Sequence, residues 1–205
     1  MNRRREFLTQ VGAFAALTSF DANELKAASA AAAGAWDTSW IEALAPATYR
    51  VVFNAEDIAD GAALAYAETF LNHFHEAHGT ADGQTRPVIV FRRLGTPMAL
   101  DDVLWDRYGI GEDAKIGDSR TRGPARRNVY KPQMETLRQR GLISLVCNIA
   151  LGNWSARAAK RTGRKVDEVL AEARANLMPG AIVVPSGIYA LIRAQNAGCA
   201  FMPGT

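Results

Sequence analysis

With 205 residues, 48% of them hydrophobic, the chain is long enough for one ordinary domain plus a leader and apolar enough to bury a core, which excludes disorder for the bulk of it. The formal charge is +3, and the first 33 residues contribute +1 of it, so the +2 that remains gives no argument for a nucleic-acid partner. Two cysteines, Cys147 and Cys199, stand 52 positions apart, which excludes a disulfide framework, a CxxC redox pair and a four-cysteine zinc site.

Residues 1–33 read as an address. Arg4-Arg5-Glu6-Phe7-Leu8-Thr9 sets two arginines before Phe-Leu, and Val11 to Phe20 follows as a mildly apolar stretch, about half the roughly 20 residues that span a bilayer. Ala28-Ser29-Ala30 and Ala31-Ala32-Ala33 both offer small residues at the spacing of a cleavage site. The segment resembles a bacterial twin-arginine (Tat) export signal. That implies a partner, the Tat translocase, and a soluble periplasmic product without a stable membrane anchor. The bland alternative is a basic amphipathic helix at the start of a cytoplasmic protein.

Residues 34–48 form an arm. Trp36 to Ala45 reads as a short helix with Asp37 or Thr38 as N-cap, Pro46 as stop, and Trp36 and Trp40 four apart for packing on the domain or on a neighbouring subunit. The domain proper spans 49–205. Tyr49 to Phe53 predicts a first strand, and Asp60-Gly61 opens a helix in which Ala63, Ala67, Phe70, Leu71 and Phe74 recur at helical spacing until Gly79. His73, His75 and His78 lie near its end, but His73 and His75 point roughly 160° apart, so solvated histidines favourable to the helix dipole are expected rather than a metal site. Pro87 to Phe91 predicts a second strand and Ala99 to Tyr108 a second helix. Gly109 to Pro132 shows no periodicity and carries Arg120, Arg122, Arg126 and Arg127, either an anion or partner surface or a solvated loop.

Gln133 to Arg140 reads as a helix stopped by Gly141. The run from Gly141 to Leu151 starts as a central strand buried on both faces, with a helix beginning beside Cys147-Asn148. Helices over 148–161 and 166–177, a strand over 181–184, a helix from Ser186 to Ala197 and a last strand from Cys199 complete the pattern. Strands alternating with helices predict parallel pairing, right-handed crossovers and helices on both faces.

Several stretches carry a family likeness: Val-Val-Phe-Asn-Ala-Glu-Asp at the first strand, Trp105 to Gly111, Arg127-Asn128-Val129-Tyr130, Gly141 to Leu151 with its Val-Cys-Asn core, and Leu177 to Cys199 with Met-Pro-Gly, Val-Pro-Ser-Gly and Arg-Ala-Gln-Asn-Ala-Gly-Cys. Over about residues 49 to 203 the chain resembles the DsrE/DsrF-like small sulfur-relay proteins. The resemblance implies a three-layer α/β/α fold with a five-stranded parallel sheet of flavodoxin-like winding and a homo-oligomer, trimeric or hexameric. It also implies persulfide transfer with a sulfur-donor or acceptor protein, through a cysteine at the position of Cys147.

In an open parallel sheet, ligands bind beyond the carboxyl ends of the strands. Those ends supply Asn54, Glu56 and Asp57, then Arg92 and Arg93, then Cys147 and Asn148, then Ser186. A thiol at a helix amino terminus feels the positive end of the dipole and Arg92 adds a full charge, both favouring thiolate, while Asn148 and backbone amides position the sulfur. The competing reading makes Cys147 a small buried hydrophobe and the domain a non-catalytic binding or assembly module. Cys199 starts a strand where Cys147 ends one, so no bridge is expected between them. No cofactor is expected: Glu56, Asp57 and Asp60 repel a flavin phosphate, and neither GxGxxG nor GxxxxGK followed by Ser or Thr occurs. Ser186 lacks the glycine of a nucleophile elbow and suits an N-cap.

Overall fold

Runs of β-branched and aromatic residues form the strands, and in the computed structural model, which describes residues 36–205, five of them build one parallel sheet. The readings made for the leader, Arg4 and Arg5 included, lie outside the described residues. The strands are β1 (Tyr49–Ala55), β2 (Thr85–Phe91), β5 (Ile143–Cys147), β6 (Ile182–Val184) and β7 (Ala200–Pro203), in the spatial order β6-β5-β2-β1-β7. With these five strands numbered in chain order, the order across the sheet is 4-3-2-1-5. Flavodoxin is wound 2-1-3-4-5. The two share parallel strands between helical layers, but here the chain steps outward three times in one direction and returns only at its last connection.

Two cores divide the layers. Val51, Phe53, Ala55, Ile89, Phe91 and Val146 point to one face, where α2 (Ala62–His78), α3 (Asp102–Arg107), α5 (Lys131–Gln139), α6 (Asn148–Thr162) and α7 (Val166–Ala175) cover them. Val52, Val88, Val90, Leu145 and Val184 point to the other, under α8 (Gly187–Asn196) and the single turn α1 (Ser39–Glu42). Right-handed crossovers place helices this way: steps in one direction lay them on one face, and the return step from β6 to β7 lays α8 on the opposite face. The arm belongs to this second layer. Asp37 Oδ1 accepts from the backbone N–H of Ser39 at 2.9 Å, and Trp40 and Leu44 are buried in the second core. Truncating a tryptophan buried like this costs about 3–5 kcal/mol.

The stretch from Gly109 to Pro132 is more ordered than its lack of periodicity predicts. It holds the short helix α4 (Ile110–Asp113) and a two-stranded antiparallel ladder, β3 (Gly117–Asp118) with β4 (Gly123–Pro124). Side-chain hydrogen bonds do what hydrophobic repeats do elsewhere. Asp118 accepts from the Arg120 backbone N–H at 2.9 Å and from Arg127 Nε at 3.2 Å. Buried Asn128 donates to the carbonyls of Met98 and Leu100 at 2.7 and 2.9 Å and accepts from the N–H of Tyr130 at 3.0 Å. The histidines of α2 act locally: His75 Nδ1 lies 2.5 Å from the carbonyl of Thr80, and His78 stacks on Tyr49. Among the described residues no helix is long and apolar enough to cross a membrane.

A charged cluster locks α7 to α3 and to the end of α6. Glu172 accepts from Tyr108 Oη at 2.7 Å and Arg164 Nη1 at 2.6 Å, and pairs with Arg107. Burial raises the Glu172 carboxyl, but the Tyr108 and Arg164 hydrogen bonds and the Arg107 charge outweigh it and hold the group below its ordinary value of 4.5. Burial and the adjoining carboxylate push the Tyr108 phenol up to about 12. Since the Glu172 value is depressed in the folded chain, its contribution is present above the unfolded value and is lost as pH falls through the folded one. The Glu172 side chain is 13% exposed but its cations are more open, so Glu172→Gln is expected to cost on the order of 2 kcal/mol at pH 7. Urea denaturation checks this, and the gap between variant and wild type is expected to close as pH drops below about 4.

Candidate functional site

The winding leaves one place at the carboxyl edge where neighbouring strands send their chains apart. β5 passes into α6 on the first face and β6 into α8 on the second, although the two strands are paired, Cys147 beside Val184. A crevice at such a reversal is where open α/β sheets bind ligands. Here it is a pocket of about 160 Å³ lined by Arg92, Arg93, Cys147, Ile149, Ala150, Asn153, Ser186, Gly187 and Ile188.

Cys147 ends β5 and caps α6, with Sγ accepting the backbone N–H of Ala150 at 3.4 Å. The residue is only 6% exposed, yet it lines a pocket whose mouth is formed by two isoleucines, Ile149 and Ile188, each 60% exposed. Ser186 caps α8, its Oγ accepting the N–H of Tyr189 at 3.1 Å. The amino termini of two helices therefore meet at the pocket, and their unpaired N–H groups and dipoles favour negative charge there.

Arg92 lines the same pocket. A Cβ on Gly187 would stand 2.9 Å from Arg92 Cδ, so the glycine is what lets the start of α8 lie against this side chain. The guanidinium is held by Glu56, Nη2 to Oε1 at 3.4 Å, and Glu56 also takes Arg93 at 3.4 Å. Asn54 Nδ2 donates to the same Oε1 at 3.0 Å. That hydrogen bond is the largest cause holding Glu56 below the ordinary carboxylate range; burial opposes it, and the charges of Arg92 and Arg93 add to it.

Of the residues the sequence nominates, the structure brings Cys147, Arg92 and Ser186 to one pocket. Asn54 stands one strand further off and reaches the pocket only through Glu56 and Arg92. Asn148 does not line the pocket: its Oδ1 accepts from Arg174 Nη2 at 2.7 Å and ties the start of α6 to α7. Adjacent to the thiol in sequence, it is turned away by the 100° step of the helix that begins there. Cys199 lies at the amino-terminal edge, one residue before the pairing of Ala200 with Val51, and burial pushes its thiol up to about 11. Both cysteines are free.

Sequence reasoning missed Asn153, Gly187 and the two isoleucines. Helical spacing would have found Asn153, three residues beyond Ala150 on the same face, while Gly187 carries no local mark. Among the described residues no group of three or more His, Cys, Asp or Glu side chains converges as a metal site.

No protein-family model and no curated protein matches the sequence. Among solved structures, the chain is similar to a protein of unknown function from Methanobacterium thermoautotrophicum, 18% identical, with 76% of this chain and 98% of that chain covered and a TM-score of 0.45.

Arg92 sets the charge at the pocket, and two alkylating agents measure it. Iodoacetate is an anion and iodoacetamide is neutral, so the ratio of their rates at Cys147 reports local potential. Arg92→Gln is expected to lower that ratio about three- to tenfold at low salt, with the difference shrinking as ionic strength rises.

Proposed function

We propose that the protein is an exported sulfur carrier of the DsrE-like type and that Cys147 accepts and passes on a sulfur atom as a persulfide. The observation that carries this reading is the thiol at the β5/β6 reversal, facing two helix amino termini and Arg92. The thiolate attacks the outer sulfur of a donor persulfide. A new S–S bond forms at Cys147, the donor's S–S bond breaks, and the donor leaves as a thiolate that takes up a proton, with no net oxidation. The anionic end of the Cys147 persulfide then sits where N–H donors and a guanidinium favour negative charge. The pocket admits only a small group, and its exposed apolar residues Ile149 and Ile188, with exposed Ile192 one turn further along α8, suit a protein donor or acceptor, or another subunit of a trimer or hexamer.

The low exposure of Cys147 favours a second reading, a binding or assembly module whose cysteine only packs. Incubation with a low-molecular-weight persulfide followed by intact mass measurement separates the two. The carrier gains one sulfur atom, releases it to dithiothreitol, and loses the gain in Cys147→Ser but not in Cys199→Ser. A thiol that neither gains sulfur nor alkylates in the folded protein leaves the module.

Export is part of the same proposal and rests on Arg4 and Arg5 before Phe7-Leu8. Replacement of both arginines by lysine is expected to abolish the shortened protein in the periplasmic fraction, as read by immunoblot of fractionated cells, while the full-length chain accumulates in the cytoplasm.

A further inference from the structure

A second cavity opens at the carboxyl edge, on the first face of the sheet. It holds about 620 Å³, the size of a small-molecule site, and takes its walls from the turns after β1 and β2, from α4 with the residues after it, and from α6. Backbone contact fixes two of these walls. Leu94 and Gly95 both donate their N–H to the carbonyl of Glu56, at 2.9 and 3.0 Å, and a Cβ on Gly95 would stand 2.4 Å from the carbonyl oxygen of Ala55 and 3.1 Å from that of Asp57.

Backbone strain gathers here. Among the described residues five other than glycine have positive φ, and three of them line this cavity: Ala59 at +40°, Asp60 at +52° and Lys115 at +57°. A fourth, Arg93, lines the Cys147 pocket. A left-handed backbone costs a residue with a Cβ free energy, and such residues cluster where ligands are held. Lys115 shows what the strain carries. Its N–H donates to the carbonyl of Glu112 at 3.2 Å, and that of Ile116 to the carbonyl of Gly111 at 2.7 Å, which is the pattern that ends a helix on a left-handed residue, where glycine is usual. Glycine would relieve the strain but bring no ammonium to the cavity.

The charges of the lining come from separate segments. Asp57 and Asp60 follow β1, Lys115 follows α4, and Arg157 lies on α6. Among the described residues none of these four takes part in an ion pair, whereas Asp113, the remaining acid of the lining, pairs with Arg161. Two carboxylates and two cations around one cavity, none within ion-pair distance of another, match a ligand that carries both signs. Leu94, Pro97, Ile116 and Trp154 complete the lining with apolar surface.

We propose that this cavity binds a small zwitterion of the amino-acid type, with its ammonium on Asp57 and Asp60, its carboxylate on Lys115 and Arg157, and its apolar body against Leu94 and Trp154. A free amino acid and a short peptide share that chemistry. Cys147 takes no part in the site, so the inference stands apart from sulfur transfer.

The experiment titrates the full-length protein with L-leucine and with L-leucyl-L-leucine by isothermal calorimetry. Saturable binding is expected, and the tighter of the two names the source. Blocking either end of that ligand, by acetylation or by amidation, is expected to weaken it at least about tenfold. Lys115→Gly is expected to weaken binding about as much while raising the thermal midpoint of the unliganded protein by about 1–4 °C, because it removes the ammonium and the strain together. A lysine that only ended a helix would give the rise in midpoint with affinity unchanged. Asp60→Asn and Arg157→Gln, which leave the backbone as it is, are each expected to lower affinity at least about threefold. No saturable heat with either ligand, blocked forms that bind as well as free ones, or affinity unchanged in all three variants overturns the site. None of these outcomes bears on the sulfur-carrier reading, which is decided by the mass at Cys147.

Discussion

The molecule depends on one topological constraint, the handedness of the crossover between parallel strands. Because the chain turns back only once, after β6, the helices between β1 and β6 gather on one face and α8 lies on the other, and β5 and β6 send their chains to opposite sides. The crevice that opens between them is a by-product of closing the sheet. Whatever residue ends β5 is placed in it, and that residue is a cysteine whose sulfur takes a backbone N–H from the helix it caps.

The electrostatics at that edge follow from the same arrangement. Two helices start side by side at the reversal, and their amino termini add to the charge of Arg92. Glu56 sits behind Arg92 and takes up part of that charge, and Asn54 steadies Glu56. The guanidinium is thereby fixed in place by a carboxylate that does not itself line the pocket, so position is gained at some cost in potential. At the other edge Arg50 and Arg86 cap the chain ends leading into β7 and β5, and among the described residues neither is paired with a carboxylate. The two rims of one sheet treat arginine in opposite ways.

Strand and helix positions were legible because their signals are local. Apolar runs such as Val-Ile-Val-Phe mark buried strands, and the repeat of Ala63, Ala67 and Leu71 marks one face of a helix. The region from Gly109 to Pro132 was not legible, since its order comes from Asn128 bridging to Met98 and Leu100, 30 and 28 residues away, which no short window contains. Half of the site was visible for a similar reason. Cys147, Arg92 and Ser186 each end a strand or begin a helix, and strand ends in a parallel sheet share an edge. Asn148 was misjudged because nearness in sequence says little about direction once a helix starts, and Arg174, which claims it, lies 26 residues further on.

The amino-acid sequence by itself determined the class of fold, the alternation of strand and helix, and which residues crowd the carboxyl edge, because periodicity and punctuation act over a few residues. Only the tertiary structure decided the order of the strands, the pairing of β5 with β6 that opens the pocket, the approach of Gly187 to Arg92, and the register that pairs Arg50 with Arg86. Those features rest on contacts between segments far apart in the chain, whose partners are chosen by packing and crossover handedness rather than by any local preference.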